Sequence, residues 1–212
     1  MRGFTLIELT IALVIIALVL GGGALALSGK NHHQRERETK AQLLIIKEAL
    51  YGYAITNGRL PCPAVLIDNS GEENCAHNFG IIPYATLGVA GFDFWGAPIR
   101  YYVHPAFCAP ITDDSLAAFT LLTGGNKDDA VRKTLPDIYE TRGGNKIAVG
   151  AAAVLWSTGK NGENAANADE AENAAQTLNF IARPTDNEFD DIVEWISPFV
   201  LKSKMLTAQR LP

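Results

Sequence analysis

Basic charge is scarce in this chain. Its 18 Lys and Arg stand against 23 Asp and Glu, for a net charge of −5, so it presents no broad electrostatic surface for nucleic acid. Cysteine is scarcer still. Cys62, Cys75 and Cys108 allow one disulfide and leave one thiol over, and their spacing lacks the C-x-x-C pair of common zinc sites. No G-x-S-x-G, H-E-x-x-H or Walker A sequence occurs; in the STGKNG stretch, Val154 stands where a phosphate loop has its upstream glycine. Ser, His and Asp are present, but no motif links them. His32 and His33 are adjacent in an expected helix and cannot share a face. The motif-based case for a hydrolase, a P-loop enzyme or a zinc finger is therefore missing.

What the chain does have is a long apolar run near its start. From Leu9 to Leu27 only Thr10 and Gly21-Gly22-Gly23 dilute it, and about 20 such residues in a helix cross a bilayer core roughly 30 Å thick. A secretory signal carries a basic leader, a shorter apolar core and a small-residue cleavage site after that core. Here Arg2 is the whole basic leader, and LALSG imitates a cleavage site only distantly. Glu8 stands at the head of the run. A carboxylate kept among apolar side chains has a function or a partner.

The residues Arg2-Gly3-Phe4-Thr5-Leu6-Ile7-Glu8 resemble the class III signal of type IV pilins and type II secretion pseudopilins. That resemblance implies cleavage by a prepilin peptidase after Gly3, methylation of the new N-terminal Phe4, and a role in assembly for Glu8. It also implies filament partners of the same kind, an inner-membrane assembly platform, and a single-pass anchor with the C-terminal domain in the periplasm. Cleavage leaves an α-amino group on Phe4 that is mostly protonated near neutral pH. In the first helical turn Glu8 complements the helix dipole. Between subunits it can neutralise a neighbour's Phe4 amine: opposite charges about 4 Å apart attract by about 4 kcal/mol at an effective dielectric of about 20, less desolvation. Positive-inside counting runs the other way, since Lys30, Arg35, Arg37 and Lys40 follow the run. Glu36 and Glu38 interleave those charges, and the signal sets the orientation.

Beyond the run, Leu43, Ile46, Leu50 and Tyr53 recur at spacings of three and four, which predicts one face of an amphipathic helix. Asn57-Gly58 followed by Pro61 is a stop signal. The expected organisation is a leader at 1–3, an apolar helix half at 4–28, an amphipathic half at 29–57 and a globular domain at 58–212. A helix from 4 to 57 extends roughly 80 Å. The glycines at 21–23 serve either close helix packing or local loosening, at about 1 kcal/mol each against alanine. Strands are expected at 98–104, 116–122 and 147–156, bounded by Gly- and Asn-rich turns. A loop or short helix is expected at 160–177, and a strand to about Ile196 is followed by an amphipathic helix or tail. The fold class is α+β, a long N-terminal helix packed on an antiparallel sheet.

GFDFWGAPIRYYV is similar to the D-x-W-G-x-P-x-x-Y hairpin of pseudopilins and minor pilin-like proteins, carried by Asp93, Trp95, Gly96, Pro98 and Tyr102, with Tyr101 an equal candidate for the tyrosine. GRLPCPA, WSTGKNG and DDIVEWIS also resemble such proteins. Core packing accounts for Trp95 and the tyrosines. Cys62 and Cys75 enclose a polar loop, and a disulfide there restrains it by about 3 kcal/mol in the chain-entropy model; pairing of Cys108 with either remains open. A zinc set of Cys62, Cys75, His77 and Cys108 is the alternative. Acids cluster at Asp169, Glu170 and Glu172, and at Asp186, Glu188, Asp190 and Asp191. Such oxygens suit calcium, which some pseudopilins hold in a C-terminal loop, or form an acidic surface. The reading is a minor pilin or pseudopilin. Its rivals are a membrane-anchored periplasmic enzyme or metal-binding module, and a DNA-binding minor pilin resting on Lys202, Lys204 and Arg210.

Overall fold

The computed structural model describes residues 6–67, 70–109, 134–165 and 167–209, with the side chains of residues 18–31 outside the description. The strand expected at 116–122, the cleavage pair Gly3 and Phe4, and Arg210 all lie outside the described residues. Met1–Glu38 and Thr39–Pro212 form two compact units.

Helix α1 spans Leu6–Asn57, so the second unit begins within it. From Thr39 onward one face of α1 is core: Thr39, Leu43, Ile46, Leu50 and Ala54 are buried, the three-and-four spacing that puts side chains on one stripe. Tyr53, expected on that stripe, is half-buried, and Tyr51 is buried instead. The helix ends at Gly58, whose φ of 75° is free for glycine and whose N–H donates to the Ala54 carbonyl at 2.8 Å.

After it come strand β1 (Phe79–Ile81), helix α2 (Tyr84–Leu87), β2 (Arg100–Val103), α3 (Pro105–Cys108), β3 (Asp137–Tyr139), β4 (Lys146–Ala148) and β5 (Ala153–Ser157). Helix α4 (Ala168–Ala174), strands β6 (Asn179–Ile181) and β7 (Ile192–Ile196), and helix α5 (Pro198–Thr207) complete the order. The fold is α+β. Its main sheet has the order β1-β2-β5-β7 and is antiparallel at every pairing. A second sheet, β4-β3-β6, was not anticipated from sequence. It joins β3 to β4 antiparallel and to β6 in parallel.

Both faces of the main sheet are covered, which explains the unbroken apolar stretch before Ser157. On one face Tyr101, Val103, Ala153, Leu155, Ile192 and Ile196 pack with Leu43, Ile46 and Leu50 of α1 and with Leu201 and Met205 of α5. On the other, Tyr102, Val154, Trp156 and Val193 pack with Ile138 and Phe180 of the second sheet. Adjacent residues of a strand point to opposite faces, so Tyr101 and Tyr102 serve different layers. Burying each large apolar side chain contributes about 1.5–3 kcal/mol. The run expected as one strand at 147–156 is two strands, β4 and β5, interrupted where Gly150 takes a φ of 71°.

Candidate functional site

In the first unit, Glu8 sits in the first turn of α1 and is exposed. The apolar side chains around it are exposed as well: Leu6 at 84%, Ile7 at 69%, and Leu9, Ile11, Leu13, Val14, Ile15 and Ile16 at more than half. The hydroxyl of Thr10 turns back to the carbonyl of Ile7 at 2.8 Å, so even the polar residue of the run satisfies itself within the helix. A helix that is apolar all round needs lipid or other helices against it. Among the described residues no helix is long and apolar enough to cross a membrane; residues 18–27 of the apolar run lie outside those whose side chains are described.

The second unit shows three polar constellations that hold its loops. Asp93 organises the hairpin. Its Oδ1 accepts the N–H groups of Trp95 and Ala97, both at 2.9 Å, and its Oδ2 accepts the hydroxyl of Ser157 at 2.5 Å. Gly96 between them has a φ of 86°, which an L side chain rarely adopts. Phe92 bridges to Pro98, and Trp95 packs against the core. The D-x-W-G-x-P pattern is thus a turn in which one buried carboxylate closes the loop and fastens it to β5.

Cys62 and Cys75 are joined in a disulfide, and Glu73 beside it is the hub of a second constellation. Arg59 grips Glu73 in a fork, Nη1 to Oε2 at 2.8 Å and Nη2 to Oε1 at 2.7 Å. The Tyr53 hydroxyl and the Cys62 N–H add bonds at 2.8 and 2.9 Å. The guanidinium chiefly, with the Cys62 N–H and the Tyr53 hydroxyl, holds the Glu73 pKa down to about 2 against the opposing effect of burial. The disulfide takes two of the four residues of the zinc alternative. Cys108 keeps its thiol, half-buried, donating to the Pro105 carbonyl, with its pKa raised by burial.

The four acids Asp186, Glu188, Asp190 and Asp191 separate into two pairs. Asp186 is engaged by Arg183 and by the N–H groups of Glu188 and Phe189, at 2.8 and 2.9 Å. The Glu188 carbonyl receives the side chain of Asn167. Asp190 and Asp191 converge instead with Glu170 of α4, their carboxylate oxygens within 4.8 Å of one another. Gly159, at a φ of 61°, lets the WSTGKNG turn wrap Asp190: a Cβ there would lie 2.3 Å from the Asp190 carboxylate. The N–H groups of Lys160 and Asn161 then reach its Oδ2 at 3.0 and 3.2 Å. Asp191 is buried and accepts from Asn173 at 2.8 Å. Burial, followed by the neighbouring charges of Glu170 and Asp190, pushes its pKa up to about 7. The donor set is all hard oxygen, as calcium prefers.

Sequence reasoning missed Arg59, Ser157 and Glu170 as partners of the residues it singled out. Asp93 and Ser157 are 64 positions apart, and Arg59 and Glu73 are 14 apart. Glu170 carried a signal as part of an acidic run; Arg59 and Ser157 lay in stretches noted for resemblance, GRLPCPA and WSTGKNG, without their partners being visible.

The described turns of α1 before residue 18 are thus an exposed apolar helix with one acid in its first turn, while the globular unit fastens its loops through internal carboxylates. Residues 1–24 match the family model described as the prokaryotic N-terminal methylation motif, which is the prepilin-type signal of type IV pilins and pseudopilins. No curated protein matches the chain, and no solved structure does.

Proposed function

We propose that the chain is a pilin-like structural subunit, a minor pilin or pseudopilin of a type IV pilus or type II secretion filament. The observation that carries this reading is the methylation motif over residues 1–24, set on a helix whose apolar side chains are exposed around Glu8. In this reading prepilin peptidase cuts after Gly3 and methylates Phe4. The apolar run crosses the inner membrane before assembly, with the C-terminal unit in the periplasm. The same run then packs among its counterparts in the filament core, through a long helix whose second half rests on the sheet. Glu8 fixes the axial register by neutralising the Phe4 amine of an adjoining subunit, because an acid left alone among packed apolar helices carries a desolvation cost of several kcal/mol. The loop-rich globular unit suits a tip, initiator or adaptor position. Glu170, Asp190 and Asp191 would hold a structural calcium that fastens α4 to the segment before β7.

Intact-mass and N-terminal analysis of membrane-extracted protein tests the processing. The expected result is a chain beginning at N-methylated Phe4. A retained Met1, or a cut after Leu27, overturns the proposal.

A further inference from the structure

A cavity of about 220 Å³ opens where β1, β2 and β5 meet the segment that follows α4; Phe79, Arg100, Trp156, Thr158, Glu163 and Gln176 are among its walls. Arg100 and Trp156 are register partners across β2 and β5, so both side chains stand on the same face. The Arg100 side chain is only 18% exposed, while that of its ion-pair partner Glu163 is 70% exposed. The pair therefore joins a desolvated cation on a strand to a solvated acid on the 160–165 turn. Exposed partners of this kind contribute little to stability.

A further observation points to a ligand. The indole N–H of Trp156 is buried with no acceptor among the described residues, on a residue 3% exposed; folded proteins rarely leave such a donor unused. Thr158 and Gln176 add neutral hydrogen-bonding groups, and Gln176 holds a φ of 54°, unusual for a residue with a side chain. Phe79 and Trp156 add aromatic carbon to the walls. The chemical class follows from what the site already takes. Its cation is paired with a carboxylate, Arg100 Nη2 to Glu163 Oε1, and a guanidinium has a fork of donors that a carboxylate can engage.

We propose that this cavity is a binding site for a carboxylate carried on a flat apolar body, in which the incoming carboxylate replaces Glu163 on Arg100 and the body lies against Phe79 and Trp156. A free aromatic acid and the C-terminal carboxylate of an aromatic-ended peptide share this chemistry. The site is independent of the N-terminal segment and of the assembly role.

Calorimetric titration of the full chain in neutral detergent tests it, with benzoate, benzamide, N-acetyl-Gly-Phe and its C-terminal amide as probes. The indole N–H resonance of Trp156 is followed in parallel. Benzoate is expected to bind saturably and to shift that resonance, while benzamide and the peptide amide do neither. Arg100→Gln should weaken benzoate by about tenfold or more, the loss of a charge-assisted pair. Because that variant removes a half-buried group on which folding can depend, Glu163→Gln carries the test separately. Freed of its internal competitor, the site should bind benzoate about threefold tighter. Tighter binding of the free-acid peptide than of benzoate assigns the site to a chain terminus; the reverse assigns it to small acids. No saturable benzoate binding in wild type and Glu163→Gln, or binding that ignores both substitutions, overturns the proposal and leaves Arg100–Glu163 as an internal ion pair only.

Discussion

The two compact units differ in what their leucines, isoleucines and valines build. In Thr39–Pro212 they form a core in which Leu43, Leu50, Ile82, Val103 and Leu155 have no exposed surface. In the described part of Met1–Glu38 the same residue types face outward, Leu6 at 84% exposure. Apolar surface left in water is unfavourable by about 25 cal/mol per Å², so in the proposed reading lipid or neighbouring helices cover the described start of α1. The acids differ in the same sense. Asp93, Glu73 and Asp191 are held by named groups of their own globular unit, whereas Glu8 is exposed in the first turn of α1 and pairs between subunits only in the proposed reading. The globular unit holds its loops by internal contacts; in the proposed reading the apolar helix is completed by its neighbours.

The largest intramolecular effect is expected for Asp93→Ala, which strands the N–H groups of Trp95 and Ala97 and the Ser157 hydroxyl. A buried donor left unsatisfied costs about 1–3 kcal/mol, so the full chain should lose about 3 kcal/mol or more in urea unfolding. A loss well below 1 kcal/mol would mean the hairpin is held by packing alone. Reducing the Cys62–Cys75 disulfide should cost about 3 kcal/mol, by unfolding midpoints with and without reductant; an unchanged midpoint would assign the restraint to the Arg59–Glu73 fork.

The fork itself sets an acid limb. The folded pKa of Glu73, about 2, lies below its ordinary value of 4.5. Its contribution is therefore complete above about pH 4.5 and is lost as pH falls toward 2, where the unfolded chain takes up the proton first. Stability measured between pH 6 and pH 2 should fall over this window, and Glu73→Gln should flatten that part of the profile. The smallest effect expected is from calcium, which should raise the melting temperature by a few degrees through Glu170, Asp190 and Asp191. Glu170→Gln should remove the response. No shift on adding calcium or a chelator rejects the cation and leaves an acidic cluster.

Local rules made part of this legible in the sequence. The prepilin-type signal, the three-and-four spacing of Leu43, Ile46 and Leu50, the glycine stop at 58 and the β2 and β7 strands all depend on neighbours a few residues away. What escaped notice depended on distance. Strands β3 and β6 are three residues each, too short to show alternation, and they pair in parallel between distant segments, Ile138 with Phe180. The hairpin motif marked Asp93 but not Ser157, because side-chain hydrogen bonds between distant segments leave no periodic trace. The acidic clusters were visible as composition, yet which acids converge was decided by α4 and by the turn at Gly159. The cavity at Arg100 had no signature at all, since its parts come from three strands and two loops.

The most direct measurement compares Glu8→Gln with wild type for filament assembly in cells, with the unfolding midpoint of the globular unit recorded on the same preparations. Loss of assembly with an unchanged midpoint is the expected result, because the proposed function puts the missing charge between subunits. Wild-type filaments from the Glu8→Gln variant would contradict the pairing of Glu8 with a neighbour's terminus, and with it the division of labour between the two units.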